Sequence, residues 1–304
     1  GTQIDHVQVS YSNDDSFEWF GGTVNAKYLV AYHGWDDDFD TDNGYSGNLQ
    51  FLLGVRNPQI ADQSLSNGFE SDNNANGTTD EPYTKAVFSN VTLIGPIGQA
   101  TDFANTTQYI TGNGLNPNNG SRLGVFQAAI QIRRNSRLNL FNSVATGYPV
   151  GLILDNQKGT TQKWAEDGTL KLQNNVFAGM NVLGADINKQ SPTWTDQLST
   201  NGTSITDETK ASFSSTFFKL TANNNKVLTS ISDLKLKQPN SKESNPNYGP
   251  VSGSPVIGLA SFSNASLSDS FFTKVTYSGA FASDSSNDNW LQGWTNFDPQ
   301  NTTY

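Results

Sequence analysis

Residues 14–44 hold two acidic clusters that superpose residue for residue, and this repeat limits the fold more than any other feature of the chain. Asp14 falls on Asp36, Asp15 on Asp37, Phe17 on Phe39 and Glu18 on Asp40. A third copy, Asn67-Gly68-Phe69-Glu70-Ser71-Asp72, follows after a short insertion. The β-rich runs around these clusters start at Ile4, Ala26 and Asn48, two equal steps of 22 residues. A constant step of this length predicts a parallel β-helix, in which each repeat is one coil that buries its inner face against its neighbours. An antiparallel sandwich also has short strands and turns, but it gives no reason for a fixed period.

Later coils are less regular. Val87 to Ile94 reads as a further strand, and residues 97–122 as a polar loop lying over one face. Ile130, Ile132, Leu138, Leu140 and Val144 resume the alternation of apolar and polar positions. Gly151 to Leu154 and Leu170 to Phe177 read as the last clear coils. The predicted organisation is coils over 1–185, a loop and helix insertion over 186–250, and a closing segment over 251–304. A helix is expected from Asp207 to Leu220, with Thr206 or Asp207 as N-cap and Phe213, Phe217 and Leu220 on its apolar face. The tail carries Tyr277, Phe281, Trp290, Trp294 and Phe297. It is expected to pack over the last coil, because an open solenoid end invites aggregation. The first residues already read as strand, which predicts further coils upstream or a partner covering that edge.

Composition narrows the function classes. The net charge of -10 repels nucleic acid and anionic membranes and is compatible with glycans and cations. The chain has no cysteine, which rules out disulfides and thiolate metal sites and hints at an exported protein. No apolar run approaches the ~18 residues that a membrane-spanning helix needs. The two histidines, His6 and His33, do not align, and no Ser-His-Asp order, phosphate loop or zinc spacing occurs.

Several runs resemble a known family. Ile4 to Asn25, Asp36 to Asp42, Asn67 to Asn73 and the closing Trp290-Leu291-Gln292-Gly293-Trp294-Thr295-Asn296-Phe297-Asp298-Pro299 are similar to blocks in large exported bacterial proteins of unassigned function. These are often lipoproteins or secreted surface proteins. The resemblance spans most of the chain and implies a right-handed parallel β-helix like that of pectate lyases, an extracytoplasmic location and upstream coils. It supplies no catalytic residues, and a shared β-helix does not fix an activity.

Stacking the coils sets Phe17, Phe39 and Phe69 in one ladder and Glu18, Asp40 and Glu70 in another, on opposite sides. Asp15 and Asp37 point inward or sit in a corner, and an extended segment would put Asp38, Asp40 and Asp42 on one face. Carboxylates about 5 Å apart repel, so something must offset them. One candidate is Ca²⁺ held by Asp15, Glu18, Asp38, Asp40, Asp42, Glu70 and Asp72, since Asp-x-Asp-x-Asp delivers the oxygens that this ion takes. The segment is not an EF-hand: Gly44 comes one position late, and Leu49 stands where the bidentate Glu belongs. A second candidate is catalysis by paired carboxylates or by an arginine with Ca²⁺. The third is structural, with these carboxylates and Asn13, Asn57, Asn67 and Asn73 capping backbone N–H groups at the corners. Trp19, Trp35 and Tyr45, together with Arg56, are the candidates for stacking on and binding a glycan or another surface ligand. The expected function is a non-catalytic surface protein that binds glycan or another extracellular ligand. A polysaccharide lyase or glycoside hydrolase using the same acidic face is the alternative.

Overall fold

The computed structural model of the chain describes residues 2–100, 103–105, 124–187, 197–200, 203–206, 211–240 and 245–303. The strands alternate between two sheets as the chain advances. One sheet holds β1 (Gln3–Ser10), β3 (Asn25–Tyr32), β5 (Asn48–Val55) and β7 (Val87–Ile94), then β9 (Asn139–Phe141), β10 (Val144–Thr146), β12 (Leu172–Gln173), β13 (Val176–Ala178) and β17 (Lys226–Leu228). The other holds β2 (Phe17–Phe20), β4 (Phe39–Asp42), β6 (Phe69–Ser71), β8 (Ala128–Ile132), β11 (Val150–Leu154) and β14 (Val182–Ala185), followed by β15 (Gln197–Thr200) and β16 (Thr203–Thr206). Among the described strands every pairing between successive coils is parallel and the β15–β16 hairpin is antiparallel, with two isolated antiparallel bridges, Leu236–Pro250 and Ile257–Tyr277, beyond the coils.

The register explains the repeat. Ile4 lies over Ala26, the expected step of 22, but Ala26 lies over Leu49 and not over Asn48. The extra residue enters the turn after Asp42, where Asn43 and Gly44 take left-handed conformations at φ 49° and 86°. In the second sheet the alignment holds as read: Phe17, Phe39 and Phe69 are in register, as are Glu18, Asp40 and Glu70. The phenylalanines face inward and stack, with ring centroids 5.7 and 5.4 Å apart. The outward residues of β4 are half-exposed, giving the period-2 pattern of a strand with one face on the core.

The long strands of the first sheet bend at one position each. His6, Tyr28, Phe51 and Asn90 have φ between 53° and 62° in mid-strand, where a single left-handed residue turns the chain. In later coils Asn142 separates β9 from β10 and Asn174 separates β12 from β13, both left-handed. Asparagine tolerates this conformation; the bulkier residues pay about 1–2 kcal/mol. Stacking offsets that cost, since the His6 and Tyr28 rings lie 4.7 Å apart and Tyr28 and Phe51 5.3 Å apart.

Two expectations about the ends are corrected. The described helix in the insertion is Phe213–Phe218, with Ser212 as N-cap accepting the Ser215 N–H. Residues 207–210, the expected first turn, lie outside the described residues. Because the helix starts later, Phe217 and Phe218 are buried and Leu220 is 47% exposed. This helix, not the tail, covers the last coil. Phe218 stacks on Phe177 at 4.1 Å, and Ser214 donates to the Ala185 carbonyl of β14. The aromatic tail instead runs along the outward face of the first sheet, back to its first strand. Tyr248, Phe281, Leu291 and Phe297 pack on Val30, Tyr32, Leu53, Val55 and Ile94. Three side-chain amides bind it as a strand would. Gln8, Gln50 and Asn142 each hydrogen-bond both the N–H and the C=O of one tail residue: Asn296, Thr273 and Ser261 respectively.

Candidate functional site

With one outward face covered by the tail, the acidic residues occupy the outward face and leading corner of the second sheet. At the corner the structural role is explicit. The Asp37 N–H donates to Asp15 Oδ1 at 2.8 Å, the Asn67 N–H to Asp37 Oδ1 at 2.6 Å, and the Ala128 N–H to Asn67 Oδ1 at 2.9 Å. Each side chain thus caps its neighbour on the next coil. Asn57 and Asn73 also accept backbone N–H groups, those of Gln59 and Thr84.

Asp38 departs from the expected face. The chain turns before β4 begins at Phe39, so Asp38 points inward and is buried, and it does not share the side of Asp40 and Asp42. It pairs with Arg56 at 2.8 Å, and Tyr148 Oη lies 3.4 Å away. Burial pushes its carboxyl up to about 6, with Arg56 opposing. Arg56 is itself fully buried, donates to the Trp35 carbonyl and lies over the Phe126 ring. Trp35 and Tyr45 are buried and Trp19 packs against Tyr45 on the core side, so none of the four expected ligand-contacting residues lines the outward face. The exposed aromatic is Phe20, 64% exposed and in register with Asp42. Counting two residues on from Glu18 places it outward, and the same alternation turns Trp19, which neighbours the acidic cluster in sequence, toward the core.

On the outward face the acids divide into two groups. Glu70 and Asp72 both pair with Arg133, the latter at 2.9 Å, and Asp72 also pairs with Arg134 at 2.7 Å. Burial alone would lower the Arg133 guanidinium, but Glu70 and Asp72 hold it above its ordinary value. Burial still pushes Glu70 up to about 8. The second group has no lysine or arginine partner among the described residues. Asp14, Asp15 and Asp36 bring carboxylate oxygens within 4.8 Å of one another, and so do Asp15, Glu18 and Asp40. Burial, and then the charge of Asp36, push Asp15 up to about 7; burial pushes Asp36 up to about 6 and Asp40 well above its ordinary range. Glu18 and Asp42 are raised by the same cause. Of the seven expected cation ligands, Asp15, Glu18 and Asp40 come together, Asp42 lies in the next outward row, and Asp38, Glu70 and Asp72 are taken by arginines. Asp14 and Asp36, aligned in the repeat, complete the cluster; the step of 22 could have nominated them.

The coils thus build two parallel sheets, entered alternately, with the acids that lack a cationic partner on the outward side of the second. The family model described as the pectate-lyase like beta helix domain matches residues 1–229, so this chain belongs to that family. No curated protein and no solved structure matches the chain. Among the described residues no helix is long and apolar enough to cross a membrane.

Proposed function

We propose that this chain is part of a secreted or surface-exposed, right-handed β-helix protein that binds an extracellular glycan on the outward face of its second sheet, without catalysis. The observation that carries the reading is the contrast between the two outward faces. The tail seals one, while the other leaves carboxylates without cationic partners beside the exposed ring of Phe20. An aromatic face beside hydrogen-bond acceptors suits a sugar, whose C–H face stacks on the ring while its hydroxyls donate to carboxylates. Repulsion among those acids calls for protons or a hard cation, and Ca²⁺ is the candidate that all-oxygen ligands favour. Family membership supports an extracytoplasmic location, where polysaccharides are met.

Binding of the purified protein to a panel of neutral and acidic polysaccharides tests the reading, with Phe20→Ala beside it. Retention of at least one polysaccharide, weakened about two- to tenfold by the substitution, is expected, since one aromatic stacking contact contributes about 0.5–1.5 kcal/mol. Absence of binding across the panel would overturn it. The close approach of Asp15 and Asp40 also favours a second reading, retaining glycoside hydrolysis, which places two carboxyl groups about 5 Å apart. New reducing ends that carry the substrate's anomeric configuration, with no unsaturated uronate formed, would establish that alternative.

A further inference from the structure

The two carboxylate triads share one residue, Asp15. The first adds Asp14 and Asp36, the second Glu18 and Asp40, so each draws ligands from both of the first two coils. Each triad also contains a buried carboxylate oxygen that accepts no hydrogen bond: Asp36 Oδ1 in one and Asp40 Oδ1 in the other. The opposite oxygen of Asp36 is engaged by Ser64 Oγ at 2.5 Å, and Asp15 Oδ1 by the Asp37 N–H. Asp36 is thus held in place by a bond on one oxygen while the other is left bare. A buried bare acceptor forfeits its hydration without compensation, at greater cost when charged, unless a ligand fills it.

We infer that the corner binds two Ca²⁺ ions, bridged by the Asp15 carboxylate, and that they clamp the first coil to the second. The inference deepens the proposed role of this face but does not depend on glycan being its ligand. Ca²⁺ sits about 2.3–2.6 Å from its oxygens, so two of its ligands can stand up to about 5 Å apart. That reach covers every separation within the 4.8 Å limit of both triads. Mg²⁺, at about 2.1 Å, reaches only about 4.2 Å across. A bridging carboxylate uses both oxygens, and a bound cation draws the proton from a carboxyl that burial would otherwise keep protonated. Backbone carbonyls and water complete the six to eight oxygens that each ion takes.

Calorimetric titration of the whole chelator-stripped chain with CaCl₂ tests this. Two ions per chain are expected, with a rise of several degrees in melting temperature at saturation. Asp36→Asn and Glu18→Gln should each leave a single ion, removing different sites. Asp15→Asn, which keeps an acceptor for the Asp37 N–H, should weaken both sites about tenfold or more. Circular dichroism identifies any variant that fails to fold, and the Asp36 and Glu18 variants, which leave the ladder bond intact, then decide the question. One ion or none in the wild-type chain, or the same site lost from both single variants, would overturn the inference. The titration contains no glycan, so a protein that takes two ions yet binds no polysaccharide would refute the proposed function alone.

Discussion

Replacing Asp37 by asparagine is expected to stabilise this protein at neutral pH in the presence of chelator. The side chain is buried, and its Oδ1 accepts the Asn67 N–H at 2.6 Å. One coil on, Asn67 makes the equivalent bond to the Ala128 N–H at 2.9 Å, so an amide at this position keeps the ladder. What the amide removes is the ionisable group. Burial first, then the charges of Asp36, Glu70, Asp15 and Asp40, raise the Asp37 carboxyl well above its ordinary range. An acid raised on folding favours the folded state most below its unfolded pKa of about 3.9, and that advantage is lost as pH climbs toward the folded value. The loss is about 1.4 kcal/mol for each pH unit over which the carboxyl is ionised in the unfolded chain and protonated in the folded one. Asp15, Asp36 and Asp40 share the same field, so a single substitution should recover about 2 kcal/mol. Urea denaturation of both proteins at pH 7 and pH 4 measures it: a gain of about 2 kcal/mol at pH 7 that shrinks to within about 0.5 kcal/mol at pH 4. Destabilisation at pH 7, or an equal gain at both pH values, would refute the reasoning.

Phe39→Ala removes the middle ring of a buried stack, and denaturant midpoints should show a loss of about 3–5 kcal/mol. Asp38→Ala strands the fully buried Arg56 and should cost about 3–5 kcal/mol, whereas the double change Asp38→Leu with Arg56→Met should cost less than Asp38→Ala alone; a thermal melt of both variants checks this. Gln50→Ala deletes both hydrogen bonds to Thr273, so limited proteolysis should cut within residues 260–300 several times faster while cutting in the coils is unchanged.

The parts of this fold that were legible in the sequence are those that a local period records. The register of Phe17, Phe39 and Phe69 and of Glu18, Asp40 and Glu70 follows from the repeat, and the structure reproduces it. The left-handed corner was not legible. Its first three residues, His6, Tyr28 and Phe51, keep the coil spacing but differ in type, whereas Asn90, Asn142 and Asn174 share a type but are spread by uneven steps, so no one residue type and spacing marks the corner throughout. Asp38 was misplaced because parity along a strand applies only where the chain is extended, and the turn before Phe39 breaks it. Arg56 drew attention as a free cation; nothing local shows that its partner is an inward-facing aspartate 18 residues earlier.

The course of the tail was hidden for a different reason. Its contacts with Gln8 and Gln50 span 288 and 223 residues, and polar residues in mid-strand ordinarily mean a solvated face. Here they mean the opposite, because paired amide bonds let an irregular segment satisfy its backbone against a sheet that has no free edge on that side. This division has a consequence for function. A tail that commits one outward face to packing leaves the other for the proposed ligand, and among the described residues the acids without cationic partners gather there, on the first two coils. Charge with no packing role is expensive to keep. The corner ladder accounts for Asp15 and Asp37 as caps, which an amide could serve equally well, as Asn67 does. It does not account for Asp14, Glu18, Asp36 and Asp40, whose negative charge is what the proposed Ca²⁺ ions would require.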